Sequence, residues 1–127
     1  MDHLINAPLV PWSSVRIVTT IAKLHNLRTK QVDFVQAYPQ SMIKTPIYLQ
    51  DPVGVILING KEGMVIRLVK NIYGLKDAGS TWFEHLAEGL DEMGFKPTNS
   101  NPCIFVNGTY VILLYVDDCV IISRTEE

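Results

Sequence analysis

Two adjacent carboxylates, Asp117 and Asp118, interrupt the apolar run VILLYVDDCVII near the C-terminal end of the chain. Unpaired buried charges are costly, so the pair needs a partner that offsets the cost. A tight turn between two buried strands would bring both acids to a cleft, where a divalent metal ion could neutralise them. The pair is therefore a candidate catalytic site.

A third acid, Asp33, lies inside the segment QVDFVQAY. If its strand runs beside the turn at Asp117 and Asp118, three carboxylates converge without a His or Cys, which favours Mg²⁺ over zinc. A pair of such ions can stabilise the incoming and leaving oxygens of a phosphoryl displacement, and nucleotidyl transfer fits this site. Spacing alone leaves a structural alternative open, in which these acids are turn residues or caps.

Two helices are predicted around these acids. A one-sided apolar stripe, with Ser13 and Ser14 as N-cap candidates, predicts a first helix of about 13 residues. Apolar residues at three- and four-residue spacing predict a second helix from about Asp77 to Met93, with Gly94 as its stop signal.

Short strands make up the rest of the predicted fold. Asn59-Gly60 and Asn107-Gly108 are turn signals, and the second of them is the strongest hairpin signal in the chain. The predicted strands are 31–35, 45–49, 64–69, 103–106, 109–115 and 119–123. This order of helices and strands predicts an α+β fold, in which helices pack on one face of an antiparallel sheet.

The composition sets the chain apart from disordered and coiled-coil proteins. The chain has 127 residues, of which 47% are hydrophobic and 19% charged, so we expect one small globular domain or a piece of a larger one. Its net charge is −2, so the chain lacks the excess of basic residues that a self-contained nucleic-acid-binding protein usually has. The apolar run around Asp117 is too short for a membrane helix, so no membrane is expected as a partner. Cys103 and Cys119 have no zinc-site spacing.

The chain resembles the polymerase core of copia-type retrotransposon reverse transcriptases. Three segments carry the resemblance in the family's order: QVDFVQAYPQ, NIYGLKDAGSTWFEHLAEGLDEMGF and YVILLYVDDCVII. NAPLVPWSSVRIVTTIAKLHN and SNPCIFV extend it to nearly the whole chain. The resemblance implies a partial RNA-directed DNA polymerase domain over 1–127, with a palm-like sheet. Residues 1–30 would lead from the fingers into the palm, and 31–127 would form the palm core with the catalytic hairpin.

The resemblance also implies roles for the acids and for one aromatic residue. Asp33 and Asp117 would be the main ligands of two Mg²⁺ ions, which Mn²⁺ could replace, and Asp118 a supporting carboxylate. Tyr38 matches the position beneath the sugar of the incoming nucleotide that disfavours a 2′-hydroxyl. A rigid ring suits that task, since excluding one oxygen atom requires a wall. Without the motif, Tyr38 would be interpreted as an aromatic core residue at a strand end.

Three further residues match the family's YGLK segment, which lies against the incoming nucleotide and the template. They are Tyr73, Gly74 and Lys76. Glycine lets a backbone approach a substrate closely, and lysine can contact phosphate as a point charge. The corresponding alternative for Lys76 is a solvated side chain before a helix.

The implied partners are an RNA or DNA template with its primer, a deoxynucleoside triphosphate, and the rest of the Pol polyprotein. The family's basic fingers segment, thumb and ribonuclease H domain have no counterpart in these residues, so we expect the chain to be incomplete and inactive alone. Family analogy suggests a cytoplasmic particle. Two alternatives remain: a non-enzymatic remnant of a decayed element, and an unrelated small metal-binding module.

Overall fold

The computed structural model of the chain describes residues 7–50 and 65–124. The predicted turn at Asn59-Gly60 and the first residue of the strand predicted at 64–69 lie outside these ranges. Within them, helices and strands follow in the order α1 (Trp12–Leu24), β1 (Arg28–Asp33), α2 (Ala37–Gln40), β2 (Tyr48–Gln50), β3 (Val65–Arg67), α3 (Ala78–Glu92), β4 (Lys96–Pro97), β5 (Ile104–Val106), β6 (Tyr110–Tyr115) and β7 (Asp118–Ser123).

Five of the strands form one antiparallel sheet in the order β1-β7-β6-β5-β4, and β2 pairs with β3 separately. The prediction of an α+β fold with an antiparallel sheet is thus confirmed. None of the helices in the described ranges has the length and apolar character that a membrane span requires.

The hairpin between β5 and β6 forms where the Asn107-Gly108 signal predicts it. The Asn107 Oδ1 accepts hydrogen bonds from the backbone N–H groups of Thr109 (3.0 Å) and Tyr110 (2.8 Å). Gly108 has φ +89°, a conformation that glycine adopts without steric cost. This turn sets the register of β6, and with it the position of the acids that follow β6.

Helix α3 packs on a cluster of buried side chains from the sheet. Its Leu90 is buried there, and Leu86 and Ala87 pack against the same cluster, whose buried members are Leu90, Phe95, Phe105, Ile112, Leu114 and Cys119. The helix ends near Gly94, as predicted, where φ is +84° and the Phe95 N–H donates to the Leu90 carbonyl (2.9 Å). Helix α3 is therefore fixed to the strands that lead to the acids.

A second cluster of buried side chains includes Leu113 of β6. Leu113 is buried there with Val10 and Cys103, and Val15 and Val18 of α1 pack against the cluster. Because side chains alternate along a strand, β6 has apolar packing on both of its faces. The expectation that the helices pack on one face is not confirmed by this arrangement.

The start of α1 corrects one prediction. The N-cap is Pro11, in an extended conformation, and Ser13 and Ser14 lie inside the first turn. The Val15 N–H already donates to the Pro11 carbonyl (3.2 Å), so the helical hydrogen bonds begin before either serine can serve as a cap.

Strand β1 corrects a second prediction, since the sequence suggested a buried strand at 31–35. The observed strand is Arg28–Asp33, and within it only Val32 is even partly buried. The strand pairs with β7 alone at the edge of the sheet, and its residues from Arg28 to Gln31 are polar or charged, so they remain exposed.

Candidate active site

The two adjacent acids lie at a tight turn between β6 and β7. Val116 and Asp117, here called the acidic turn, connect the two strands, and Tyr115 and Asp118 are cross-strand partners. Of the two turn residues, only Val116 has a positive φ, +52°, as in a type II′ hairpin. That position usually holds glycine, and a β-branched residue is strained there.

Pairing of β1 with β7 brings the third acid to the same end of the sheet. Asp33 and Asp118 are cross-strand partners, and the pairing continues one step further, because the Phe34 N–H donates to the Asp117 carbonyl (3.0 Å). Asp33 thus ends β1 beside the acidic turn, so the strand that carries Asp33 lies next to the hairpin of Asp117 and Asp118.

The electrostatic environment of Asp117 is unfavourable to its charge. Its Oδ1 is buried and has no hydrogen-bond partner among the described residues, whereas Asp33 and Asp118 are exposed. Burial raises the pKa of the Asp117 carboxyl, and the negative charges of Asp33 and Asp118 raise it further. A cation near Asp117 would relieve both effects.

The described residues contain no group of three or more His, Cys, Asp or Glu side chains arranged to hold a metal ion. The acids therefore share a neighbourhood without forming a closed set of ligands. Mg²⁺ is commonly held by one or two carboxylates, with water and substrate phosphates completing its coordination. Asp33 and Asp117 are compatible with that mode of binding, since the Asp117 Oδ1 has no partner within the described part of the chain.

Tyr38 lies near the acids and stacks on a second tyrosine. Its ring centroid is 4.6 Å from that of Tyr73, with 37° between the ring planes. Burial raises the pKa of the Tyr38 hydroxyl, and the charge of Asp117 and the neighbouring Tyr73 raise it further. The structure thus brings together Tyr38, Tyr73 and Asp117.

Gly74 and Lys76 have different surroundings. Gly74 has φ +97°, and a Cβ added there would meet no atom within 4 Å among the described residues. Its conformation, rather than close protein packing, favours glycine. Lys76 is exposed and lines a cleft of about 310 Å³, which also borders the ion pair of Lys44 and Glu84. None of the three acids is among the described residues of that cleft.

Two aromatic residues at this site were not predicted to have a role there. Trp82 is one of the apolar residues whose spacing predicts the second helix, yet its indole Nε1–H donates to the Val116 carbonyl (3.2 Å). Phe34 contacts the same indole edge to face, with ring centroids 5.4 Å apart. A buried tryptophan N–H usually requires an acceptor, but the sequence does not indicate which carbonyl provides it.

Comparison with known proteins identifies the protein family to which the chain belongs. A family model described as "Reverse transcriptase (RNA-dependent DNA polymerase)" matches residues 2–127. The chain belongs to this reverse transcriptase family.

Curated relatives narrow the class to copia-type Pol polyproteins, in agreement with the resemblance seen in the motifs. The chain is 30% identical over 123 residues to the "Retrovirus-related Pol polyprotein from transposon TNT 1-94" of Nicotiana tabacum, covering 93% of the chain and 9% of that protein. It is 32% identical over 106 residues to the "Transposon Ty1-BL Gag-Pol polyprotein" of Saccharomyces cerevisiae, covering 83% and 6%. The chain thus spans less than a tenth of either relative's length. No solved structure matches it significantly.

Proposed function

We propose that this chain is the palm core of an RNA-directed DNA polymerase from a copia-type Pol polyprotein. The reaction is transfer of a nucleotide from a deoxynucleoside triphosphate to a primer 3′-hydroxyl on an RNA or DNA template. The observation that carries the proposal is the environment of Asp117. Its buried carboxylate oxygen has no hydrogen-bond partner among the residues that the structure describes, and two further carboxylates, Asp33 and Asp118, act on its charge.

In this proposal Asp33 and Asp117 hold two Mg²⁺ ions, or Mn²⁺ in their place, and Asp118 adds negative charge beside them. Bound ions of this kind activate an attacking hydroxyl and stabilise the leaving oxygens of a phosphoryl displacement. The protein's own contribution is to fix the acids. Backbone pairing of β1 with β7 holds Asp33 and Asp117 at one end of the sheet, without using their side chains.

The remaining site residues would act on the incoming nucleotide. The Tyr38 ring, held against Tyr73, forms a rigid wall next to Asp117 and excludes a 2′-hydroxyl. Gly74 leaves space over the backbone where a nucleotide or template could approach. Lys76 would reach phosphate from the neighbouring cleft.

The charge of the chain indicates that nucleic-acid binding depends on other parts of the polyprotein. A net charge of −2 offers little to offset the repulsion of a phosphate backbone. We propose that fingers, thumb and ribonuclease H segments of the same Pol polyprotein supply positive charge around this core. Residues 1–30 would connect it to the fingers, and 31–127 would form the core itself.

A chimeric polymerase tests the proposal. The chain replaces the matching segment of the tobacco Pol polyprotein, and primer extension is measured with Mg²⁺ on an RNA template. We expect extension that Asp117→Asn abolishes. Asp91→Asn is the matched control, because Asp91 is an exposed acid paired with Lys96. A folded chimera no more active than its Asp117→Asn variant would contradict the proposal and favour a non-enzymatic remnant.

A further inference from the structure

The acidic turn is held from its inner side by α3. We propose that Trp82 is the positioning residue of this turn, and that its indole N–H fixes the Val116 carbonyl so that Asp117 stays beside Asp33. This inference rests on the proposed function, because it concerns the placement of the acids that would bind the metal ions.

The first contact is the hydrogen bond from the Trp82 Nε1–H to the Val116 carbonyl, with 3.2 Å between nitrogen and oxygen. Trp82 is only 3% exposed, so its donor has little access to water. Val116 has φ +52°, which is unfavourable for a β-branched residue and persists only where surrounding contacts impose it. The indole is one such contact, and it acts on the strained residue itself.

The second contact connects Trp82 to the other strand of the site. The ring of Phe34 packs against the indole at 68°, with the centroids 5.4 Å apart. Through its backbone N–H, Phe34 also donates to the Asp117 carbonyl (3.0 Å). Phe34 directly follows Asp33 in the chain. One indole therefore contacts the residue next to each of the two proposed metal ligands.

These contacts give Trp82 a specific role. It lies behind the turn and reaches Asp33 and Asp117 through the chain neighbours Phe34 and Val116. Removing the N–H donor while keeping an aromatic ring would let the Val116 carbonyl turn away and the acidic turn relax. The acids would then meet a metal ion in a less favourable arrangement, and the affinity for the ion would fall. Residues that orient metal ligands characteristically have this effect.

Nuclear magnetic resonance on the ¹⁵N-labelled full chain tests the inference with Mg²⁺ as the probe. The titration follows the Asp117 amide signal and the indole N–H signals. The chain has two tryptophans, and Trp12 is 71% exposed on α1, so Trp12→Phe is the matched control for Trp82→Phe. We expect Trp82→Phe to weaken Mg²⁺ affinity about tenfold. Trp12→Phe should leave the affinity unchanged, and Asp117→Asn should abolish the response.

The outcomes separate the inference from the function on which it rests. If Asp117→Asn abolishes the Mg²⁺ response but Trp82→Phe leaves the affinity unchanged, the positioning role is overturned and the proposed function stands. If the wild-type chain shows no Mg²⁺ response, the proposed function itself is contradicted and the inference fails with it.

A measurement on the wild-type chain covers the case in which Trp82→Phe does not fold. The Trp82 indole N–H signal should shift with Mg²⁺ at the same midpoint as the Asp117 amide, while the Trp12 signal stays in place. A Trp82 signal that does not respond, while the Asp117 amide does, overturns the inference.

Discussion

Asp33 and Asp118 face each other as cross-strand partners on β1 and β7, the two strands at one edge of the five-stranded sheet. Like charges directly opposite each other destabilise a strand pair. This pairing also brings Asp33 near Asp117, whose carboxyl responds to both neighbours. A fold that keeps three acids this close carries an electrostatic cost, which a bound cation would remove.

Replacing Asp117 with Asn should stabilise the metal-free fold at neutral pH. The pKa of Asp117 is raised in the folded chain, so its ionised carboxylate destabilises the folded state relative to the unfolded chain, and this cost is complete above the folded pKa. The neutral amide removes the repulsion from Asp33 and Asp118, and we expect a gain of about 0.5–1 kcal/mol in the free energy of unfolding. Urea unfolding in the presence of a chelator measures it.

The sign of the pH dependence follows from the raised pKa. Lowering the pH protonates the folded wild-type chain first, so the advantage of Asp117→Asn should shrink as the pH falls through the folded pKa. It should vanish below the unfolded value of about 3.9. An advantage that stays constant over this range would contradict the repulsion. Asp91→Asn, which loses an exposed ion pair with Lys96, should give no gain at neutral pH.

Val116→Gly should leave the stability of the fold nearly unchanged, although it removes a partly buried side chain. Relief of the left-handed conformation at φ +52° is worth about 1–2 kcal/mol, and it offsets the lost contacts and the greater entropy of the unfolded chain. Val120→Gly is the control, because Val120 is also partly buried but lies inside β7. It should cost about 1 kcal/mol or more. Equal losses at both positions, measured by thermal unfolding, would count against strain at Val116.

Tyr38→Ala should raise the incorporation of ribonucleotides in the chimeric polymerase. The substitution removes the ring that stacks on Tyr73 and that we propose excludes a 2′-hydroxyl. Tyr38→Phe keeps the ring and should keep the selectivity, whereas Tyr48→Ala changes an exposed tyrosine on β2 and should have no effect. The ratio of kcat/KM values for a ribonucleotide and its deoxy analogue is the measurement. An unchanged ratio in Tyr38→Ala would remove the proposed role.

Parts of the fold with strong local signals could be predicted from the sequence. The Asn107-Gly108 turn and the apolar periodicity of α3 depend on short-range interactions, and the structure has both where they were expected. The prediction of the α1 N-cap was wrong. Ser13 and Ser14 suggested capping positions, but the helix begins directly after Pro11. Competition between neighbouring caps cannot be resolved from residue types alone.

The candidate site depends on long-range pairing, and less of it could be predicted. Motif order suggested that Asp33 and the acidic turn meet, but the register that pairs Asp33 with Asp118 is fixed by the sheet as a whole. The edge position of β1 depends on pairing with β7, which the local sequence does not encode. The contact of Trp82 with Val116 joins residues 34 positions apart, and nothing in the apolar spacing of the second helix indicates it.

The most direct test of a shared metal site is a Mn²⁺ titration of the wild-type chain. Electron paramagnetic resonance measures the concentration of free Mn²⁺ at each step. The variants are Asp33→Asn and Asp117→Asn, with Asp91→Asn as the control. We predict that the wild-type and control chains bind Mn²⁺ alike, and that each of the other two substitutions weakens binding at least about tenfold, because losing a ligand should cost no less than losing a residue that only orients one. Equal Mn²⁺ binding by all four chains would contradict the claim that Asp33 and Asp117 form a shared metal site.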